Sequence, residues 1–294
     1  MTIDIIVIGG ITWDLNIVEK GKWEGFGGGV TYSSYILSKL GVNVGLVSYI
    51  SSELHESYMR LVGKNIDFSG LKVKEGAIIR FTNRYKVRER FQEAYPPNYR
   101  ISIKDIPKKY LDAKYAIITS VLGEVSKKLP IYLGKMGIKV FLDLQGYTRR
   151  TYDGIVIYKS PGWLPYSFID IIKGDSMEVK ETLSKIKKLK SKPRFIIVTL
   201  GDKGSYIYDR IKWKKYYFPA VKVKAIDTTG AGDVYLAILT YAIYKGKDII
   251  EAGKLATAYA AYSTQFKGPK YPVKKGIIDD LASEVEYLIE DISL

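Results

Sequence analysis

The chain combines 294 residues, 47% of them apolar, with a formal net charge of +15, so it is long and apolar enough to fold around a sizeable core. The absence of cysteine excludes disulfides and thiolate metal sites, and the single histidine, His55, excludes multi-histidine zinc sites. No apolar run reaches the length of a membrane span and the N-terminus lacks a basic-then-apolar signal pattern, which predicts a cytoplasmic protein without membrane contact.

The positive charge is large enough to attract polyanions over a distance, either nucleic acid or a small polyanionic substrate. Much of it comes from lysine-rich runs that are typical of solvated helix faces, so a nucleic-acid partner is not expected. The abundance of lysine, isoleucine and tyrosine, without cysteine, is also typical of proteins from thermophiles.

Strand-like apolar runs alternate with helical patterns along the chain, which predicts a mostly parallel sheet covered by helices. Strands are predicted at Ile3–Ile8, Val44–Ser48, Ala116–Thr119, Val140–Leu144, Ile169–Ile172 and Phe195–Thr199. Helices are predicted at Thr31–Leu40, Glu53–Lys64, Val125–Met136, Met177–Leu189, Asp233–Tyr244, Ile249–Phe266 and Ile277–Ile289. No internal repeat or long linker appears, so residues 1–294 are expected to form a single unit with an inserted subdomain.

One segment, from Ile79 to Phe91, departs from this rhythm. Its odd positions are mostly apolar or aromatic and its even positions mostly basic, and this period of two belongs to a sheet with one covered and one polar face. Residues 12–25 and 76–100 are therefore expected to build a second, small sheet. Its basic face has three interpretations: a solvated exterior, a surface that meets phosphate, or a nucleic-acid face.

The most informative segment is Asp-Thr-Thr-Gly-Ala-Gly-Asp at 227–233, which runs directly into an apolar stretch. Small residues there allow backbone N–H groups to crowd together at a helix start, where the amides and the helix dipole can hold an anion. Asp233 follows in the first turn, so its carboxylate could deprotonate a hydroxyl that attacks a phosphate. The alternative is a capped, buried helix. Capping needs one such residue and not two aspartates around Thr-Thr-Gly-Ala-Gly, which favours phosphate chemistry.

This segment matches the signature of the PfkB (ribokinase-like) family of carbohydrate kinases. An N-terminal Gly-Gly region, a middle acidic motif and a Thr-Leu-Gly-Asp-Lys-Gly turn precede it in the family's order, so the resemblance covers nearly the whole chain. It implies an α/β fold: a ribokinase-like three-layer sandwich with a mostly parallel central sheet and a small β-sheet lid. The implied reaction transfers the γ-phosphoryl group of ATP to a hydroxyl of a sugar, polyol or nucleoside.

The resemblance also implies roles for the signature segment. Asp233 becomes the catalytic base, and Gly230, Ala231 and Gly232 supply an anion hole through their backbone N–H groups. The remaining residues of the segment fix the loop, cap the helix or contact phosphate: Asp227, Thr228 and Thr229.

The turn that follows the strand Phe195–Thr199 resembles the family's loop along ATP. Taken alone it is a common connection between secondary-structure elements. Within the family's order its residues are expected to bind the nucleotide, and these are Thr199, Gly201, Lys203 and Gly204.

A metal motif is expected between these segments, because relatives often carry Asn-x-x-Glu after a strand. Here Asp175 replaces the asparagine and Glu178 keeps the acid, a pair that suits Mg²⁺. The same two residues could instead cap a helix, with Asp175 as N-cap and Glu178 at the third position. The two roles can coexist.

The acceptor site is predicted from three segments. Asp14 occupies the place where relatives bind sugar hydroxyls, and Gly28 and Gly29 allow close approach of the backbone to a ligand. The usual sugar-binding asparagine falls on Tyr32, which puts ribose and fructose specificity in doubt.

The third segment, 141–149, is similar to an archaeal PfkB branch and to plant-type inositol kinases. There Gln145 and Arg149 offer hydrogen-bond donors, although a strand with a polar end is the alternative. This likeness makes myo-inositol the first candidate acceptor.

Two other functions remain open: a nucleoside kinase, with an aromatic ring stacked on the base, and a non-catalytic PfkB-like sensor. Lid sheets of the family often pair between subunits, so the resemblance also predicts a homodimer formed through the lid.

Overall fold

The computed structural model describes residues 1–18, 21–86, 89–186, 189 and 192–291. Its strands, numbered in chain order, are β1 Ile5–Gly9, β2 Thr12–Val18, β3 Gly21–Gly27, β4 Val44–Ile50, β5 Ile66–Val73, β6 Ile79–Lys86, β7 Glu89–Ala94, β8 Tyr115–Thr119, β9 Lys139–Asp143, β10 Arg149–Tyr152, β11 Ile155–Tyr158, β12 Ile171–Asp175, β13 Phe195–Thr199, β14 Ser205–Asp209, β15 Lys214–Phe218 and β16 Leu288–Asp291. Its α-helices are α1 Gly29–Lys39, α2 Ser52–Val62, α3 Leu129–Lys135, α4 Gln145–Thr148, α5 Ser176–Ile186, α6 Ala231–Tyr244, α7 Ile249–Ser263 and α8 Lys275–Ser283.

The larger sheet has ten strands in the order β16-β15-β14-β13-β12-β9-β8-β1-β4-β5. The strands from β13 to β5 pair in parallel, and β14, β15 and β16 add an antiparallel edge. Parallel strands are usually covered on both faces and are therefore apolar throughout. β1 shows this: Ile5 and Val7 pack into the core that contains α1, α6 and α7, while Ile6 and Ile8 pack into the opposite core with α3. The larger sheet is thus covered by helices on both faces, which confirms the predicted three-layer arrangement.

The smaller sheet has the order β10-β11-β7-β6-β2-β3. It contains the segments expected from 12–25 and 76–100, and it also recruits β10 and β11, which the sequence did not indicate. The alternating segment is a hairpin of β6 and β7. The covered face holds Ile79, Phe81 and Asn83, but Phe91 is 42% exposed on the other face, against expectation, because Phe91 pairs with Arg84 and not with a residue of the covered face. Predictions for Val87 and Arg88 lie outside the described residues.

Three predicted boundaries are wrong for identifiable reasons. The helix expected at Ile277–Ile289 ends at Ser283, because Leu288–Asp291 pairs with β15 as a strand. The helix expected from Val125 begins at Leu129, with Pro130 in its first turn where proline is tolerated.

The strand expected at Ile169–Ile172 runs two to three residues later, to Asp175, because Lys173 is accommodated inside it. The sequence therefore placed this strand correctly only in part. Within the described residues no helix is long and apolar enough to cross a membrane.

Candidate active site

The signature segment forms the loop before α6. Gly230 is the N-cap residue with φ 78°, a left-handed conformation that glycine adopts without strain. The Asp227 carboxylate is buried and accepts hydrogen bonds from the backbone N–H groups of Thr229 (2.9 Å) and Gly268 (3.0 Å), which fixes the loop. Among the described residues no side chain caps α6, so its positive end is available to an anion.

Asp233 lies in the first turn of α6, beside the end of β8. Its Oδ1 accepts a hydrogen bond of 3.2 Å from the hydroxyl of Thr119, the last residue of that strand. Burial raises the pKa of Asp233 to about 6, although nearby Lys173 opposes the rise. A carboxylate with such a pKa is ionised at neutral pH and can take a proton from a hydroxyl.

A buried cation faces the same helix start. Lys173 of β12 forms an ion pair of 2.7 Å with Asp143 at the end of β9, and both side chains are almost fully buried. Burial alone would lower the pKa of Lys173, but the carboxylates of Asp143, Asp233 and Glu178 raise it, so the ammonium group stays charged. A Cβ atom placed on Gly232 would lie 2.7 Å from Lys173 Nζ. The positive charge therefore lies against the amides of the signature loop.

Asp175 and Glu178 form the capping arrangement that was the alternative to a metal motif. The Asp175 carboxylate accepts the N–H group of Glu178 (2.8 Å), and Glu178 Oε2 accepts the N–H group of Asp175 (2.9 Å). The other oxygen, Glu178 Oε1, is buried without a hydrogen-bond donor among the described residues and lies 3.8 Å from Arg149 Nη2. Burial raises the pKa of Glu178 to about 7, and Arg149 opposes this rise.

A cavity of about 760 Å³ opens on one side of the signature loop. Its walls include six residues expected to contact a nucleotide or its phosphates, namely Thr199, Gly201, Gly204, Thr228, Ala231 and Gly232. Small and apolar residues continue the lining away from the loop, among them Ala220, Val221, Ala260 and Ala261. Lys203 is exposed and the Asp227 side chain is buried, and neither residue lines this cavity.

A second, smaller cavity of about 50 Å³ lies on the other side of the loop, under the smaller sheet. It collects all six residues expected to bind the acceptor, together with part of the signature: Asp14, Gly28, Gly29, Tyr32, Gln145, Arg149, Thr229, Gly230 and Asp233. Its remaining walls are Thr12, Phe81, Gln92 and Val121. Segment 227–233 is thus a wall between the two cavities.

Residues 170–275 match the family model described as pfkB family carbohydrate kinase. The chain is also 28% identical over 304 residues to a 5-dehydro-2-deoxygluconokinase of Halalkalibacterium halodurans, with 88% of this chain and 87% of that protein covered. This chain is therefore similar to the carbohydrate kinases of the pfkB family. It is accordingly a phosphotransferase with an alcohol group of a sugar or polyol as acceptor.

Two solved structures have a fold similar to that of this chain. A nucleoside kinase of Burkholderia thailandensis in complex with inosine has a TM-score of 0.76 at 19% identity, over 95% of this chain and 97% of that one. A pyrophosphate-dependent kinase of the ribokinase family, complexed with a pyrophosphate analog and myo-inositol, has a TM-score of 0.73 at 20% identity, over 95% and 99%. These likenesses confirm the predicted ribokinase-like α/β fold.

Several residues of this candidate site were not singled out in the sequence. Lys173 had a usable signal, because a lysine directly after two isoleucines inside a strand needs a buried partner. Thr119 and Gln92 had none. Their places depend on how strands β6, β7 and β8 are registered against the rest, which local sequence does not encode.

Proposed function

We propose that this chain is a pfkB-family kinase that transfers the γ-phosphoryl group of ATP to a hydroxyl of a small polyhydroxylated acceptor, with myo-inositol as the first candidate. The observation that carries the proposal is the position of Asp233. Its carboxylate lines the small cavity at the point where the signature loop separates that cavity from the large one. A hydroxyl held in the small cavity and a phosphate held in the large one would meet beside this base.

The transfer needs positioning, charge neutralisation and a deprotonated hydroxyl. In our proposal the acceptor proton moves to the Asp233 carboxylate while the acceptor oxygen bonds to the γ-phosphorus and the bond to the ADP oxygen breaks. The backbone N–H groups of Gly230, Ala231 and Gly232 hold the phosphoryl oxygens, and the Lys173 ammonium group adds a fixed positive charge beside them. Thr119 orients the base through its hydrogen bond.

The volume and lining of the large cavity support a nucleotide donor. A volume of about 760 Å³ falls within the range of roughly 300–1,000 Å³ usual for ligand pockets, and small apolar side chains near Ala260 can lie against an adenine. We assign Thr199, Gly201 and Gly204 to this donor. The exposed Lys203 can reach it only from outside the cavity.

Mg²⁺ fits the acidic motif because one of its carboxylate oxygens, Glu178 Oε1, is free to bind a metal ion. Glu178 Oε1 has no hydrogen-bond donor among the described residues, and Mg²⁺ is commonly held by one or two carboxylates together with substrate phosphates and water. Glu178 and Asp175 would hold it in this chain. Bound there, the ion would neutralise phosphate charge; Arg149 already balances part of the negative charge of Glu178.

The acceptor is proposed from the polar groups of the small cavity. Asp14, Gln145 and Arg149 offer one carboxylate, one amide and one guanidinium group, a set that matches several hydroxyls on one molecule. 5-Dehydro-2-deoxygluconate is a second candidate, supported by the relative from Halalkalibacterium halodurans. Tyr32 is a poor platform for a nucleoside base, because its ring packs against Gly230.

We also propose that the smaller sheet acts as the lid and that its outer face joins two chains in a homodimer. The small cavity is well below the size of an ordinary ligand pocket, so an acceptor enters only when this sheet moves outward. The outer face carries exposed apolar side chains, among them Phe91 and Ile155.

A phosphorylation screen tests the proposed reaction. The purified chain is incubated with ATP or with pyrophosphate, each with Mg²⁺, against myo-inositol, 5-dehydro-2-deoxygluconate, ribose, fructose and nucleosides. We expect ATP-dependent product with myo-inositol, and a loss of about 10²–10⁴-fold in Asp233→Asn with the fold retained by circular dichroism. Wild-type turnover in Asp233→Asn would show that Asp233 is not the catalytic base.

The choice of donor and acceptor is tested separately. If product forms with pyrophosphate but not with ATP, the donor is pyrophosphate. If only nucleosides are phosphorylated, the acceptor is a nucleoside and not a sugar or polyol. Binding of a polyol without any product from either donor would favour a sensor.

A further inference from the structure

Three amide side chains form a row across the smaller sheet. Asn16 of β2 is paired with Asn83 of β6, and Asn83 is paired with Gln92 of β7, so the three side chains stand on the same face of neighbouring strands. All three are buried, with 4%, 0% and 7% of their surfaces exposed in that order. The row lies next to the one that contains Asp14, two residues along β2.

The hydrogen bonds along this row have a fixed direction. Gln92 Nε2 donates to Asn83 Oδ1 (2.8 Å), and Asn83 Nδ2 donates to Asn16 Oδ1 (3.0 Å). Each buried amide thus gives its N–H group to the carbonyl of the next. Because Gln92 uses its nitrogen in the row, its carbonyl oxygen Oε1 is the group that is left for another partner, and none of the hydrogen bonds among the described residues ends on it.

Gln92 is also the member of the row that lines the small cavity, together with Asp14, Arg149 and Asp233. A carbonyl oxygen can only accept a hydrogen bond, so the group that satisfies it must be a donor. The amide cannot rotate to offer its N–H₂ group instead without breaking the bond to Asn83. A pre-oriented acceptor of this kind, on a largely buried side chain, discriminates between ligands that carry a donor at the right place and ligands that do not.

We propose that Gln92 is a specificity-determining residue, whose Oε1 accepts a hydrogen bond from a hydroxyl of the acceptor other than the one that is phosphorylated. Asn83 and Asn16 are positioning residues that fix the direction of the Gln92 amide. The inference rests on the proposed kinase function and narrows it. The acceptor carries a hydroxyl, and not a keto oxygen or a hydrogen, at the position facing β7.

The test compares Gln92→Met with Glu93→Gln. Methionine keeps the length of the side chain and removes its hydrogen bonds, whereas Glu93 is the next residue on the same strand and points to the opposite face. Steady-state kinetics are measured with ATP and myo-inositol, and then with the monodeoxy-inositols. Loss of one hydrogen bond predicts a roughly ten-fold higher KM for myo-inositol in Gln92→Met, with kcat and the KM for ATP little changed. Glu93→Gln is expected to match wild type.

The deoxy series gives the sharper readout. Wild type is expected to reject one monodeoxy-inositol more strongly than the others, and Gln92→Met is expected to lose that particular discrimination. Asn83→Leu, which frees the Gln92 amide to rotate, is expected to weaken the same discrimination while the KM for ATP stays constant. A merely structural role for Asn83 would instead lower the folded fraction, with no selective change among the analogues.

The outcomes separate the two proposals. If wild type phosphorylates myo-inositol but Gln92→Met shows the same KM and the same discrimination, the role of Gln92 is wrong and the kinase function stands. If wild type prefers another polyhydroxylated acceptor, that compound and its deoxy forms replace the inositols in the same comparison. If no polyhydroxylated acceptor is phosphorylated, the proposed function is wrong and the role of Gln92 is wrong with it.

Discussion

Asp233 shows how two neighbouring side chains set the behaviour of one carboxylate. Its pKa is raised by burial and held back by the Lys173 charge and by the Thr119 hydroxyl, which donates to it. The ionised form is the one that can act as a base. Activity should therefore be present above the raised pKa and be lost as the pH falls through it.

The pH dependence of kcat/KM tests this arrangement. Between pH 4.5 and 8.5 we expect an acid limb near pH 6, below which the rate falls about tenfold per unit. Thr119→Val removes a hydrogen bond that stabilises the carboxylate, so its acid limb should move to higher pH. Thr240→Val, which removes another buried hydroxyl of α6, serves as control and should leave the limb in place. An unmoved limb in Thr119→Val would exclude Asp233 as the group that titrates.

At the residue scale the sequence predicted which residues lie together better than it predicted the ion pairs among them. The six residues expected around the acceptor do line one cavity, because each comes from a motif whose residue types limit what it can do. The Asp143–Lys173 pair was not predicted, since it joins two strands that are thirty residues apart in the chain. An ion pair of this kind becomes visible only when β9 and β12 are known to be neighbours.

At the scale of elements, two helices begin at the same point in space. α1 starts at Gly29 and α6 starts just before Asp233, so the positive ends of both helices converge on the Asp233 carboxylate. A Cβ atom on Gly29 would lie 1.7 Å from Thr119 Oγ1 and 2.4 Å from Asp233 Oδ1. Only glycine allows α1 to start this close to the base.

Gly29→Ala should therefore displace both side chains. We expect at least a hundred-fold loss of kcat and a lower melting temperature, because the added methyl group would clash with buried atoms of Thr119 and Asp233 that have no free space to move into. The matched control is Gly276→Ala near the start of α8, where an added Cβ meets no atom within 4 Å. It should keep full activity and melt at the same or a slightly higher temperature. Equal activity in the two variants would show that Gly29 is not needed for close packing.

Two of the differences from the predicted elements come from long-range pairing. Residues 288–291 form a strand only because the edge of β15 is available to them, and β10 and β11 join the smaller sheet through β7. Apolar periodicity describes the faces of an element but not its partners. Five parallel strands were predicted because burial on both faces leaves a continuous apolar run, namely β1, β4, β8, β9 and β13. The parallel strand β5 was not predicted, because its residues are only partly buried.

At the scale of the whole molecule, the outer face of the smaller sheet carries more apolar surface than a solvated face needs. Phe91 is 42% exposed and Ile155 is 40% exposed, and on β2 the half-buried Trp13 and Leu15 continue the same face. Exposed apolar surface of this kind commonly marks a protein contact. It is the surface through which we propose the homodimer.

Sedimentation equilibrium tests the dimer. Wild type is expected to sediment at twice the mass of one chain, and Phe91→Glu is expected to sediment as a monomer, because a charge would be buried at the interface. Ile211→Glu alters a comparably exposed residue in the turn between β14 and β15 and should leave the dimer intact. A wild-type chain that stays monomeric at every concentration would contradict the proposed contact.

The wall made by segment 227–233 has a consequence for the stereochemistry of the reaction. Because donor and acceptor are placed on opposite faces of a single loop, both can be bound at the same time, and the phosphoryl group can pass from one to the other in a single in-line displacement. One displacement inverts the configuration at phosphorus, whereas a relay through a protein side chain would require two and restore it. A γ-thiophosphoryl group made chiral with oxygen isotopes should therefore emerge in the product with the opposite handedness.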